Sequence, residues 1–128
     1  MLAVDTNILV RLIVRDDQKQ VLAAEQTIAA GAWVSHLVLT EATWVLDAVY
    51  ERTARQIALA VEMLLDHKHL VVQEPEVVSA ALGHFRARPV LGFSDCLLLE
   101  IARKNGHLPF GTFDRDLAKL PGAQLLKR

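Results

Sequence analysis

The feature that most limits the fold is a rhythm: short apolar runs alternate with longer segments whose apolar residues recur every three to four positions. Leu2–Val4 is too short for a helix and ends at Asp5, after which Ile8, Leu9, Leu12 and Ile13 follow helical spacing. Asp16 and Asp17 can cap a second helix over about 18–30, and Gly31 is placed to end it. Trp33 and Val34 read as a brief strand. From Leu37 to Tyr50 the set Leu37, Val38, Ala42, Val45, Leu46 and Val49 gives a helix one inward face. Thr53 and Gln56 have capping-box spacing ahead of another helix that carries Ile57, Ala60, Val61, Leu64 and Leu65. Leu70–Gln73 is the next strand, and Pro75 suits the first turn of a helix reaching about Arg86. After a connection containing Pro89, Ser94 is placed to cap an apolar helix that ends near Asn105 and Gly106. Phe110–Thr112 and Gln124–Leu126 complete the strands. This alternation predicts an α/β fold, with a short, mainly parallel sheet flanked by helices and ligands gathered beyond the carboxyl ends of the strands.

With 128 residues, 52% of them hydrophobic, the chain is expected to form a single domain over 1–128 around its own core. The longest stretch without a charged residue, Gln26 to Thr40, is interrupted by polar side chains, so no membrane span is expected. The opening MLAVDTN has neither a basic region nor a long apolar run, and the single Cys96 has no internal disulfide partner. A cytoplasmic protein is therefore expected, with Cys96 as a small core thiol. Fourteen basic against fifteen acidic residues leave a net charge of −1, and only 5% of residues are aromatic. The global field thus offers no attraction for phosphate backbones, and the few aromatics argue against a dedicated single-strand-binding module; any nucleic-acid chemistry must be local.

Most acidic residues, Glu100 among them, read as charges on helix surfaces or near caps. Four are placed differently: Asp5 ends a buried strand, Glu41 lies in the first turns of a helix, Asp95 interrupts GFSDCLLL and Asp114 follows GTF. Singly, each is explained equally well as a helix cap. Together, on the expected ligand side, like charges in apolar surroundings need a cation. An all-oxygen donor set favours Mg2+, with Mn2+ possible, over zinc. His67 and His69 have no Cys or acidic partner at zinc-site spacing and read as a solvent-facing helix end; His36, His84 and His107 are isolated. No G-x-S-x-G, P-loop or G-x-G-x-x-G motif is present.

The segments VDTNILVR at 4–11, VLTEATWVL around Glu41, FSDCLLLEIARKNG at 93–106 and GTFDRDLAKLPGAQLL at 111–126 resemble the signature blocks of PIN-domain ribonucleases, specifically the VapC-type toxins of type II toxin–antitoxin modules. The resemblance implies a PIN-like three-layer sandwich and a Mg2+-dependent endoribonuclease that hydrolyses RNA phosphodiester bonds. Asp5, Glu41, Asp95 and Asp114 correspond to the family's catalytic, metal-binding quartet. Thr6 and Asn7 match its D-T-N block, where Asn7 would orient Asp5 or a bound water. Thr112 matches the hydroxyl residue before the last acid, and Asp116 is either an outer carboxylate or a surface charge. Two positions depart from the pattern: Gly92 stands where many relatives carry a further Asp, and Cys96 where Ala is common.

Arg11, Arg15, Arg86, Arg88 and Arg115, near the loops and helix starts of this site, are candidate substrate contacts or else solvated charges, with Arg115 expected nearest the phosphate. The resemblance also implies a homodimer and a small antitoxin partner. Leu9, Leu12, Ile13, Val45 and Leu46 would line a groove for a partner helix, or else belong to the core. The alternative function is a non-catalytic PIN-like module for protein or RNA interaction, which an intact quartet argues against. A phosphoacceptor receiver domain has similar size and sheet class, but VDTN and VVQEP do not supply its acidic positions cleanly.

Overall fold

The structure is a computed structural model describing residues 1–127, and the chain divides into two compact units, Met1–Pro75 and the residues from Glu76 onward. The first unit runs β1 (Leu2–Ala3), α1 (Thr6–Val14), α2 (Gln18–Ile28), β2 (Ala32–Val34), α3 (His36–Ala48), α4 (Ala54–Asp66) and β3 (Leu70–Val72). Its three strands are parallel in the order β1-β2-β3, with Leu2 opposite Ala32 and Ala32 opposite Leu70. Ala32 and Val34 of the central strand are buried while Trp33 between them is exposed, the two-residue alternation of a sheet covered mainly on one face. Leu9, Ile28, Leu39, Leu46, Val61 and Leu64 are the large, fully buried side chains of this unit. Here α1 packs on α2 and α3, α3 on α4, and α4 on β3.

Local chemistry sets the helix starts. Asp17 Oδ1 accepts from the amides of Lys19 and Gln20 at the head of α2. Thr53 and Gln56 form the expected capping box, each side chain bonded to the other's backbone amide. Thr53→Ala is expected to cost about 1 kcal/mol of stability, read as a lower urea midpoint with an unchanged slope.

The second unit contains α5 (Pro75–Ala87), a 3-10 turn at Pro89–Leu91, α6 (Phe93–Lys104), β4 (Phe110–Thr112), a 3-10 turn at Leu117–Lys119 and β5 (Ala123–Leu125). β4 and β5 pair in parallel, with Phe110 opposite Ala123 and Thr112 opposite Leu125. Val78, Ala81, Cys96, Leu97 and Leu99 are fully buried, and the rings of Phe85 and Phe93 meet edge to face at 6.1 Å.

The six helices and parallel strands bear out the α/β class. Several sequence expectations are corrected. β1 is not a buried strand: it lies at the sheet edge with Leu2 49% exposed, and only Val4 beyond it is buried. Ser94 does not cap α6. The helix begins at Phe93, the Gly92 carbonyl accepts from the Cys96 amide, and Ser94 sits exposed in the first turn. The last strand starts at Ala123, one residue early. Leu9, Leu12 and Leu46 are core residues and Ile13 and Val45 are partly buried, so these five form no open groove; packing of α1 on α3 uses their apolar stripes.

Candidate active site

In the first unit, Asp5 stands exposed between β1 and α1, and its Oδ1 accepts from the Ile8 amide at 3.1 Å. It therefore caps α1 through one oxygen, which does not conflict with metal binding because a carboxylate has two. Thr6, the first residue of α1, donates from Oγ1 to Glu41 Oε2 at 2.8 Å. Glu41 is exposed in the second turn of α3, so one side-chain bond ties the residue beside Asp5 to the second acid. Asn7 follows, also exposed. Thr6→Val removes this tie at a partly buried site and is expected to leave the melting temperature within about 2 °C of the parent, with Thr6→Ser indistinguishable from it.

In the second unit, Asp95 lies partly buried in the first turn of α6. Burial pushes its carboxyl above the ordinary Asp range, and the charge of Asp114 pushes it further. Asp114 follows β4; its amide donates to Thr112 Oγ1 at 3.0 Å, and its Oδ1 accepts from the amides of Asp116 and Leu117 at 2.8 and 3.1 Å. The short Asp-plus-two pattern orients the side chain with local bonds alone. Thr112 thus serves Asp114 directly, whereas Asp116 faces Lys119 at 3.5 Å. Gly92 has φ +76, a region L side chains rarely adopt, so the backbone entering α6 suits glycine. Cys96 is fully buried and its thiol is pushed up to about 11, first by burial and then by the Asp95 charge, which makes it the expected inert core thiol.

The arginines separate. Arg11 is held within the fold, donating to Asp16 at 2.7 Å and to the Tyr50 hydroxyl, and its side chain is 15% exposed. The Tyr50 bond raises its pKa, so it is a fixed cation rather than an open substrate contact. Arg15 pairs with Glu25 at 2.6 Å. Arg86 and Arg88 are exposed around the end of α5. Arg115 is exposed and lines an open cavity with Phe113, Leu125, Leu126 and Lys127. Sequence reasoning missed Phe113 and Lys127, whose signal is their placement just after two paired strands.

It also misread Glu100 and His84. Glu100 is 6% exposed; His84 Nε2 lies 2.7 Å from its Oε1, and Arg103 Nε donates to its Oε2 at 2.9 Å. His67 caps the end of α4, where its Nδ1 accepts from the His69 amide, and burial and the neighbouring His69 and Lys68 lower its pKa. Among the described residues no group of three or more His, Cys, Asp or Glu side chains could hold a metal ion; in the second unit the Asp114 charge acts on Asp95, and in the first Thr6, next to Asp5 in the chain, bonds Glu41.

A family model, the PIN domain, matches residues 2–123. The chain belongs to the PIN-domain family. No curated protein and no solved structure matches it. PIN domains are generally nucleases that use divalent metal ions, which makes nucleic acid the substrate class of this PIN domain. Among the described residues, no helix is long and apolar enough to cross a membrane.

Proposed function

We propose that this PIN domain is a Mg2+-dependent endoribonuclease, with Mn2+ as the alternative ion, whose metal-binding and catalytic residues are Asp5, Glu41, Asp95 and Asp114. The observation that carries the reading is the pairing of Asp95 with Asp114. A partly buried carboxyl pushed up by a second carboxylate is the electrostatic situation that a bound cation reverses. Such a pair suits Mg2+, which takes one or two carboxylates and completes its shell with water and substrate phosphate. A bound divalent ion would supply the Lewis acidity that polarises a phosphodiester and lowers the pKa of water.

The chain's own residues do the rest. Thr6 orients Glu41 through its hydrogen bond, Thr112 and the amides of 116 and 117 orient Asp114, and the cap bond fixes Asp5. Asn7 is exposed beside Asp5, where it can position a water. Cleavage by water needs no 2′-hydroxyl, so preference for RNA must come from binding. The test is incubation of the purified chain with a panel of RNAs: cleavage with Mg2+ that stops on adding EDTA supports the reading, and no cleavage of any RNA under Mg2+ or Mn2+ overturns it.

The family match over 2–123 supports a single domain spanning 1–128. The VapC-type resemblance supports a toxin role, a homodimer and a small antitoxin partner. Leu37 and Trp44, 68% and 66% exposed and seven residues apart on α3, supply apolar surface for such contacts. Light scattering of the chain alone and with the product of the adjacent gene checks this; a monomer with no affinity for that product contradicts it.

A further inference from the structure

We infer that the cavity beside Asp114 is a nucleotide subsite that takes one unpaired base against Phe113 and its phosphate against Arg115 and Lys127. The inference rests on the nuclease reading above and extends it to how the substrate is held. The placement follows from strand register. β4 and β5 are parallel with Thr112 opposite Leu125, and the Leu126 amide continues the pairing by donating to the Thr112 carbonyl at 2.8 Å. Residues 113–115 and 126–127 therefore leave the same carboxyl edge, where ligands of α/β sheets gather. The Leu126 side chain lies over Gly111, where an added Cβ would stand 3.3 Å from its Cδ1.

The lining has the chemistry of a nucleotide. Phe85 and Phe93 are 4% and 3% exposed, as phenylalanines usually are, whereas Phe113 is 55% exposed immediately before an oriented carboxylate. Leu125 and Leu126 extend the apolar surface, and among the described residues of the lining the two charged ones, Arg115 and Lys127, are both cations. An aromatic face stacks a base of any identity, and the cations complement phosphate. A base must be unstacked from its neighbours to reach such a ring, which selects single-stranded substrate. Asp114 lies between the stacking residue and Arg115 in the chain, so the nucleotide held here would flank the reacting phosphate.

Binding of a short, labelled single-stranded RNA, measured by fluorescence anisotropy in EDTA so that no cleavage intervenes, tests the assignment. Phe113→Ala is expected to weaken binding roughly tenfold and Phe113→Trp to restore it. Lys127→Ala should shallow the log–log salt dependence by about 0.7. An RNA with one abasic nucleotide, walked along the strand, should at one position bind the parent as weakly as intact RNA binds Phe113→Ala, a control that does not depend on variant folding. DNA of the same sequence showing the same Phe113 dependence also supports a subsite for base and phosphate. If the parent cleaves RNA while Phe113→Ala and the abasic series bind as tightly as the unmodified pair, the subsite is overturned and the nuclease reading stands. A parent that neither binds nor cleaves RNA removes both.

Discussion

Asp95→Asn is expected to lower RNA cleavage by roughly a thousandfold while making the metal-free protein more stable near neutral pH. The two effects have one origin. Burial and the Asp114 charge raise the Asp95 carboxyl in the folded state, so the fold favours its neutral form. An unfolded chain releases that proton in the ordinary Asp range. From there upward the native state binds more protons than the unfolded state, and stability falls as pH rises until the raised folded value is passed, above which the penalty is complete. Asn has the shape of the neutral acid and carries no such penalty. Thermal melts in EDTA should therefore show the variant above the parent at pH 7 and the two converging below about pH 4. A variant that melts well below the parent at pH 7 would assign Asp95 a structural role instead.

Glu100→Ala is expected to destabilise the protein by about 3 kcal/mol, the largest stability loss foreseen for any charged residue outside the site. Its carboxylate is buried and satisfied from two sides, by His84 of α5 and Arg103 one turn along α6. Arg103 also donates to the Pro121 carbonyl, so the same guanidinium holds the turn that leads into β5. Truncation leaves the Arg103 charge without its carboxylate, but Arg103 is 37% exposed and water recovers part of the loss, which sets the estimate at the low end for broken buried pairs. Glu100→Gln keeps the shape, with its carbonyl accepting from Arg103 and its amide donating to His84 Nε2 in the Nδ1–H tautomer, and should cost only about 1 kcal/mol. Urea midpoints of the two variants distinguish these values, and equal, near-parental midpoints would show that the network contributes little.

What the sequence made legible is what local chemistry decides. The starts of α2 and α4 follow from Asp17 and from Thr53 with Gln56, residues that bond within three positions of themselves. What it hid depends on distant partners. The run Leu2–Val4 looks like any buried strand, and only its place at the end of the order β1-β2-β3 exposes it. Ser94 has the right chemistry for a cap, but the backbone at Gly92 starts the helix two residues too early for it. Glu100 reads in the sequence as one more helix-surface charge, because the partner that buries it, His84, lies sixteen residues away on another helix. The four acids of the proposed site stand out in the sequence as a pattern. The Thr6–Glu41 bond, between residues 35 positions apart, does not, and neither does the Phe113 cavity, which depends on β4 and β5 pairing in parallel.

The most direct test of the central claim is cleavage of one RNA under Mg2+ by the parent and by four single variants, Asp5→Asn, Glu41→Gln, Asp95→Asn and Asp114→Asn, each checked for a parental fold. If all four acids are required for metal-dependent cleavage, every variant loses cleavage, including Asp5→Asn, whose helix cap Asn preserves. Retained cleavage by any folded variant would contradict it.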